Sequence, residues 1–336
     1  MKAIRYLATR QRDEVGLLQA LVGDGRPLIV LTGLCLLLAG GFAIFQSATG
    51  HFLPHDVEFL EMTVRDLCSL AECRIVHFMF HDRVSFGGVL VAIGVLYIYL
   101  AEFPLRAGEA WAWWALCASG ASGFASFLTY LGYGYLDSWH AIATLALLPC
   151  FLVGLAKTYA ALPAPKTISS VLRPGFALQW RSAATWGRLC LLTTCCGICG
   201  AGLTIMAVGM TTVFVPQDLE FIGLSRQSID AINPRLIPLI AHDRAGFGGG
   251  LCSGGIALLP AVWCGRSTRS FWQTLCIAGG VGFTAAIGIH PLIGYTDSWH
   301  LLPAVAGAVL FGIGLALTYG QMHSSGAERQ NETALD

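Results

Sequence analysis

Charged residues are scarce in this chain of 336 residues. Asp, Glu, Lys and Arg together make up 12% of it, whereas soluble domains carry about 25%. The 20 basic residues balance the 20 acidic ones, and no segment forms the basic stripe that nucleic-acid binding requires. The composition therefore argues against an ordinary soluble domain and gives no reason to expect nucleic acid as a partner.

Several signatures of catalysis and cofactor binding are also absent. The chain has no His-Glu-x-x-His, no Cys-x-x-Cys-His, no Gly-x-Ser-x-Gly and no Walker loop. Its histidines do not pair in the middle of the predicted spans, which argues against a b-type cytochrome. Residues 1–27 are charged and lack a clean apolar core, so we expect no cleavable signal peptide, with the first span as its own anchor.

Hydrophobic residues are abundant in this chain. They form 55% of the chain, the mean hydropathy is +0.65, and there are 40 glycines. Because a membrane-spanning helix needs about 20 mostly apolar residues, the sequence predicts an all-α integral membrane protein with eight transmembrane helices. The predicted spans are 28–48, 85–103, 111–132, 139–160, 188–210, 246–265, 272–293 and 299–320.

Three polar motifs occur twice, at offsets of 160 to 162 residues (137 to 297, 81 to 242 and 56 to 218). They indicate a tandem duplication. Four spans in each half make the halves parallel repeats, related by a pseudo-twofold axis along the membrane normal. The predicted organisation is a tail (1–27), a first repeat (28–160) with outer segment 49–84, a linker (161–187), a second repeat (188–320) with outer segment 211–245, and a tail (321–336).

The distribution of Lys and Arg predicts the orientation. Most basic residues lie in the two tails, the linker and the loops on the same side, so this side should be cytoplasmic and should hold both termini. We expect the inner or plasma membrane of a bacterium. Every duplicated motif then falls on the extracytoplasmic side.

The duplicated residues form the candidate cluster for ligand binding or for structure. Asp56 and Asp218 follow a proline turn, where each would serve as a helix N-cap. Either residue of Asp137-Ser138 could cap the fourth span, and either residue of Asp297-Ser298 the eighth. The Asp-Arg pairs could instead form ion pairs between the halves. The cluster comprises His81, Asp82, Arg83, Asp137, His140, His242, Asp243, Arg244, Asp297, His300, Asp56, Glu58, Asp218 and Glu220.

The histidines allow a metal hypothesis. His77 and His81 are four residues apart and would share a helical face, and with His55 and His140 they could form a zinc or iron site, provided that these residues converge. A hydrogen-bonded clamp is the alternative for each histidine. His290, which has no counterpart in the first half, is expected to be a packed or capped residue.

Two cysteines stand apart from the ten in predicted spans, which we interpret as packing residues. Cys68 and Cys73 lie in the first outer segment. An oxidising compartment could join them, but only if the helix breaks between them.

Three functions remain open from the sequence. The first is a membrane protein that binds or passes a small polar ligand or ion through the His/Asp/Arg cluster at the extracytoplasmic face. The second is a membrane-embedded metal-dependent enzyme acting on a lipid or quinone. The third is a structural subunit of a larger membrane complex. In every case the lipid bilayer is a partner.

Overall fold

The computed structural model describes residues 16–126, 128, 134–135 and 138–332, without the side chains of residue 20 and residues 323–332. Within this part 82% of the residues are helical and no strand occurs. The predicted all-α class is therefore confirmed. In chain order the α-helices are α1 (Leu17–Val22), α2 (Arg26–Ala48), α3 (Pro54–Leu60), α4 (Val64–Cys68), α5 (Arg74–Leu100), α6 (Ala110–Ser126), α7 (Ser138–Ala161), α8 (Ala183–Met210), α9 (Pro216–Ile222), α10 (Arg226–Ile232), α11 (Leu236–Cys264), α12 (Arg269–Ile293) and α13 (Ser298–Glu332).

Seven helices in the described part are long and apolar enough to cross a membrane. They are α2, α5 with its flanking turns (71–105), α7, α8, α11, α12 and Ser298–Met322 of α13. These helices indicate an integral membrane protein. The predicted span 111–132 is described only as α6, whose 17 residues are fewer than the about 20 that a span needs.

Two helices form the centre of the bundle. In α5 and α11, 61% and 67% of the most apolar stretch is buried, against 17% to 22% in the other candidate spans. The other helices therefore surround α5 and α11 and present most of their apolar surface outward. Such exposure suits lipid contact, because lipid tails are as apolar as these side chains, whereas contact with water would be unfavourable.

The two halves interlock through these central helices. Helix α5 packs against α2 of its own half and against α12 of the other half, while α11 packs against α8 of its own half and against α6 of the other. Each central helix thus packs against the helix that follows the other central helix in the chain. This arrangement decides which histidines lie together.

Glycine allows the closest of these helix contacts. A Cβ atom added to Gly40 of α2 would lie 2.8 Å from the backbone nitrogen of Val91 on α5, whereas one added to Gly41 would meet nothing within 4 Å. In α8, a Cβ added to Gly202 would lie 2.7 Å from the carbonyl oxygen of Gly248 on α11. Small residues at such crossings let the backbones approach, as is typical of helices in lipid.

The outer segments form a second apolar layer. Short helices α3, α4, α9 and α10 pack with the start of α5 and α11 around side chains such as Phe78 and Phe214. The chain turns between α4 and α5, and the structure joins Cys68 to Cys73 there. The break that a disulfide required is therefore present.

The central helices begin earlier than the sequence predicted. Spans were expected from 85 and 246, but the helices begin at Arg74 and Leu236. His81 and His242 consequently lie inside long helices, and not in loops that lead into them. The helices continue through these charged residues because ion pairs neutralise the charges.

Candidate metal centre

Three histidines from both halves converge at one level of the bundle. His81 comes from α5, His290 from the last turn of α12 and His300 from the first turn of α13. Each offers one ring nitrogen, and these atoms lie within 4.8 Å of one another. His81 Nε2 and His290 Nε2 are 3.1 Å apart. Among the described residues this is the group whose spacing suits a metal ion.

Burial removes this centre from bulk water. His81 and His290 are 4% and 3% exposed, and His300 is half-buried. The Nδ1 atom of His290 has no hydrogen-bond partner among the residues that the structure describes. Buried polar atoms without partners are uncommon in folded proteins and call for an explanation.

A carboxylate orients His81. The Nδ1 atom of His81 lies 2.9 Å from Asp82 Oδ1. Because an ionised carboxylate only accepts hydrogen bonds, Nδ1 carries the proton, and Nε2 keeps its lone pair toward the other histidines. This is the arrangement in which carboxylates orient histidine ligands of metals.

A tyrosine orients His300 in the same way. The Tyr295 hydroxyl donates to Asp218 Oδ1 at 2.8 Å and lies 3.1 Å from His300 Nδ1. Since the hydroxyl proton is committed to Asp218, its oxygen accepts from His300 Nδ1–H. Burial, and then the Asp218 carboxylate, raise the pKa of Tyr295, so the hydroxyl stays protonated. His300 is therefore left with its Nε2 lone pair.

Arg244 ties the two orienting carboxylates together. Its Nε donates to Asp82 Oδ2 at 3.1 Å and its Nη1 to Asp218 Oδ2 at 2.7 Å. The result is a continuous chain of hydrogen bonds from His81 to His300. With one arginine and two aspartates it carries a net charge of −1, which favours a cation beside it.

A second network repeats these contacts with residues of the opposite halves. Arg83 donates to Asp243 Oδ2 at 2.8 Å and to Asp56 Oδ2 at 2.7 Å, and the Tyr135 hydroxyl donates to Asp56 at 2.6 Å. His242 Nδ1 lies 3.2 Å from Asp243. The ion pairs expected between the halves are therefore present in both directions.

The second network also touches three histidines, namely His140, His242 and His55, which lies 3.6 Å from Asp56, but in the described residues their ring nitrogens do not converge as those of the first network do. The rings of His140 and His242 stack with centroids 5.4 Å apart. The segment of the first half that leads up to Tyr135, residues 126–134, contains no histidine, whereas His290 precedes Tyr295. The two networks thus share their ion pairs and differ in their capacity to bind a metal.

The four histidines proposed from the sequence do not form one group. His81 joins His290 and His300, whereas His140 lies against His242. His55 lies 3.6 Å from Asp56 and stacks on Trp139, and His77 belongs to no group of convergent ligand atoms in the described residues. Sequence spacing could not reveal this grouping because it depends on α5 meeting α12 and α13.

The acidic candidates other than Asp82 and Asp243 differ in their positions. Asp56 and Asp218 are not N-caps as expected, since the prolines begin α3 and α9 and place these residues at the third helical position. Asp297 does cap α13, accepting from the His300 amide at 2.7 Å. Glu58 and Glu220 are exposed and lie outside both networks. Asp137 lies outside the described residues.

A cavity of about 350 Å³ opens beside the second network, lined by His55, Glu58, Phe59, Gly134, Tyr135 and Ser138. A separate apolar cavity of about 60 Å³ lies between α2, α5, α6 and α11. Neither is lined by His81, His290 or His300. A small polar ligand would therefore find space beside the second network, whereas the three histidines suit an ion without its own cavity.

Comparison with known proteins finds no family model, no curated protein and no solved structure that matches this chain.

Proposed function

We propose that this integral membrane protein binds one divalent transition-metal ion through His81, His290 and His300. The observation that carries the proposal is the convergence of three imidazole nitrogens within 4.8 Å of one another. Around a tetrahedral zinc, with Zn–N bonds of about 2.0–2.1 Å, such nitrogens lie roughly 3.4 Å apart. The His81 and His290 nitrogens, 3.1 Å apart, are already near this spacing, and a small adjustment of the three rings would reach it.

The surroundings favour a metal over an anion or an organic ligand. His81 and His300 keep unprotonated nitrogens toward the centre because Asp82 and Tyr295 accept their Nδ1 protons. The chain of hydrogen bonds is negative overall. Imidazole ligands without thiolates suit zinc or iron, the two metals expected from the sequence.

A metal-dependent enzyme acting on a lipid or quinone is the second candidate. Three protein ligands leave a coordination position for water or substrate, as catalytic zinc sites do, whereas structural sites have four ligands. No fourth His, Cys, Asp or Glu joins the group within the described residues. The third candidate, a structural subunit of a membrane complex, predicts no metal at all.

The arrangement in the membrane is part of the proposal. The abundance of basic residues at the opposite end of the bundle supports an extracytoplasmic centre, cytoplasmic termini and a bacterial inner or plasma membrane. The paired networks support two parallel repeats of four spans. In this arrangement the metal centre uses one histidine from the first repeat and two from the second.

Elemental analysis of protein purified without chelators tests the proposal. We expect about one zinc or iron per chain, and loss of this metal in His290→Ala and His300→Ala. The matched controls are His140→Ala and His77→Ala, which remove histidines outside the centre and should retain the metal. A folded wild-type protein that neither contains metal nor takes up added zinc would overturn the proposal.

A further inference from the structure

The cavity beside the second network contains a carboxylate that no cation of the chain neutralises. Glu58 lines this cavity of about 350 Å³ together with the rings of Phe59 and Tyr135. Among the residues that the structure describes, no arginine, lysine or histidine pairs with Glu58, whereas Glu61 in the same segment pairs with Arg235 at 2.8 Å. Glu58 is exposed, so a soluble ligand can reach it.

The charges around the cavity are negative overall. The second network places Arg83 between Asp56 and Asp243, so that one arginine and two aspartates give a net charge of −1. Glu58 adds a further negative charge. A cavity lined by one sign of charge concentrates ions of the opposite sign. This surrounding therefore favours a cation and disfavours an anion.

The aromatic rings suit an organic cation. The ring centroids of Phe59 and Tyr135 lie 4.3 Å apart, with the rings tilted by 44°. Phe59 already contacts one cation, since the Arg235 guanidinium carbon lies 5.9 Å from its ring centroid. Aromatic faces attract cations, and quaternary ammonium ions are recognised in this way. The volume matches that of small-molecule sites, which begin at about 300 Å³, and exceeds what a bare ion needs.

The second half uses the corresponding residues differently. Glu220, Phe221 and Tyr295 repeat the carboxylate and the two rings. There Phe221 stacks on Tyr295 with an interplanar angle of 13°, and the His300 ring also stacks on Tyr295. Tyr295 is thus packed between its contacts with the metal centre and with Phe221. This difference makes Glu220 a matched control for Glu58.

We propose that the cavity binds a small organic ammonium ion, with Glu58 as its counter-ion and the rings of Phe59 and Tyr135 as cation–π partners. The methyl or methylene groups of such a ligand would cover the rings, while its charge would lie near the carboxylate. The site goes beyond the proposed metal function and does not depend on it, because no histidine of the metal centre lines the cavity.

Titration with choline followed by proton NMR tests this site, because the methyl signal of choline reports binding directly. The protein is purified in a maltoside detergent, which carries no ammonium group. Dimethylbutanol is the uncharged analogue of the same shape. We expect saturable binding of choline. Binding of dimethylbutanol to the wild type, and of choline to Glu58→Gln, should be about tenfold weaker, since a charge pair near the protein surface contributes roughly that factor.

Three further variants keep the test decisive. Phe59→Leu keeps an apolar side chain but removes the ring, and should weaken choline binding about threefold. Glu220→Gln should bind choline as the wild type does. His290→Ala should lose the metal and still bind choline, which separates this site from the metal centre. Absence of saturable choline binding to the folded wild type, equal binding of choline and dimethylbutanol, or unchanged choline binding in Glu58→Gln would overturn the proposal.

Discussion

Removal of the Tyr295 hydroxyl tests the chain of hydrogen bonds behind the metal centre. Tyr295→Phe deletes the donor to Asp218 at 2.8 Å and the acceptor for His300 Nδ1 at 3.1 Å. Loss of a group that orients a metal ligand typically lowers metal affinity by about 10- to 100-fold, which corresponds to about 1.4–2.8 kcal/mol. We expect a weakening of zinc binding in this range, because His300 loses its fixed tautomer.

Tyr135→Phe is the matched control in the other network. It deletes a hydrogen bond of 2.6 Å to Asp56 from a side chain that is equally buried, at 3% exposure against 2% for Tyr295. In both variants an aspartate oxygen loses a donor, so each should lose about 1–3 kcal/mol of stability. Only Tyr295→Phe should change the affinity for zinc.

The assay is a competition for zinc between the detergent-purified protein and a chromophoric chelator, with the melting temperature measured on the same samples. The expected result is similar melting temperatures for the two variants and a weaker zinc affinity for Tyr295→Phe alone. An unchanged zinc affinity in Tyr295→Phe would refute the assignment of Tyr295 to the metal centre. Similar weakening in both variants would place the ion elsewhere.

Three other predictions follow from the packing and the charges. Arg83→Met should destabilise the fold by about 3–5 kcal/mol, because the substitution leaves Asp56 and Asp243 buried without their cation. The variant should nevertheless retain zinc. A loss of zinc without unfolding would show that the two networks are coupled. Gly40→Ala should lower the melting temperature, because overpacking against α5 costs about 1–3 kcal/mol of stability. Gly41→Ala is the control, since Gly41 faces open space, and it should leave the melting temperature unchanged. Equal effects of the two variants would contradict the close contact between α2 and α5. Zinc at 100 times its dissociation constant should stabilise the wild type by about 2.7 kcal/mol, and His290→Ala should show no such shift in chemical or thermal denaturation.

The residues of the two ion-pair networks form a polar layer between two apolar layers. The cost of burying their charges explains why both halves contribute to it. Each arginine lies between two aspartates from opposite halves, so that neither half can bury its charges alone. Breaking one such pair leaves an uncompensated charge in a region of low dielectric. The ion pairs therefore join the halves at one defined level of the bundle, and the histidines of the metal centre are positioned by the same residues.

The sequence by itself determined the helical membrane class and the polar residues that act together. Scarcity of charge leaves few alternatives to apolar helices, and the cost of an unpaired charge in that setting requires Arg83 and Arg244 to find carboxylates. The repeated motifs therefore offered ion pairs between the halves as one alternative to helix capping, although not which oxygen each nitrogen would contact. These inferences depend on composition and on local spacing, which a sequence displays directly.

Only the tertiary structure shows which histidines belong to the candidate metal centre. His77 and His81 share a spacing of four residues, yet His81 meets His290 and His300, more than 200 positions away in the chain. Their meeting depends on α5 packing against α12 of the other half. Helical periodicity is a local property, whereas the choice of neighbouring helix is set by the close fit of glycines and side chains across the bundle. For this reason a histidine expected to be a packing residue became a candidate ligand.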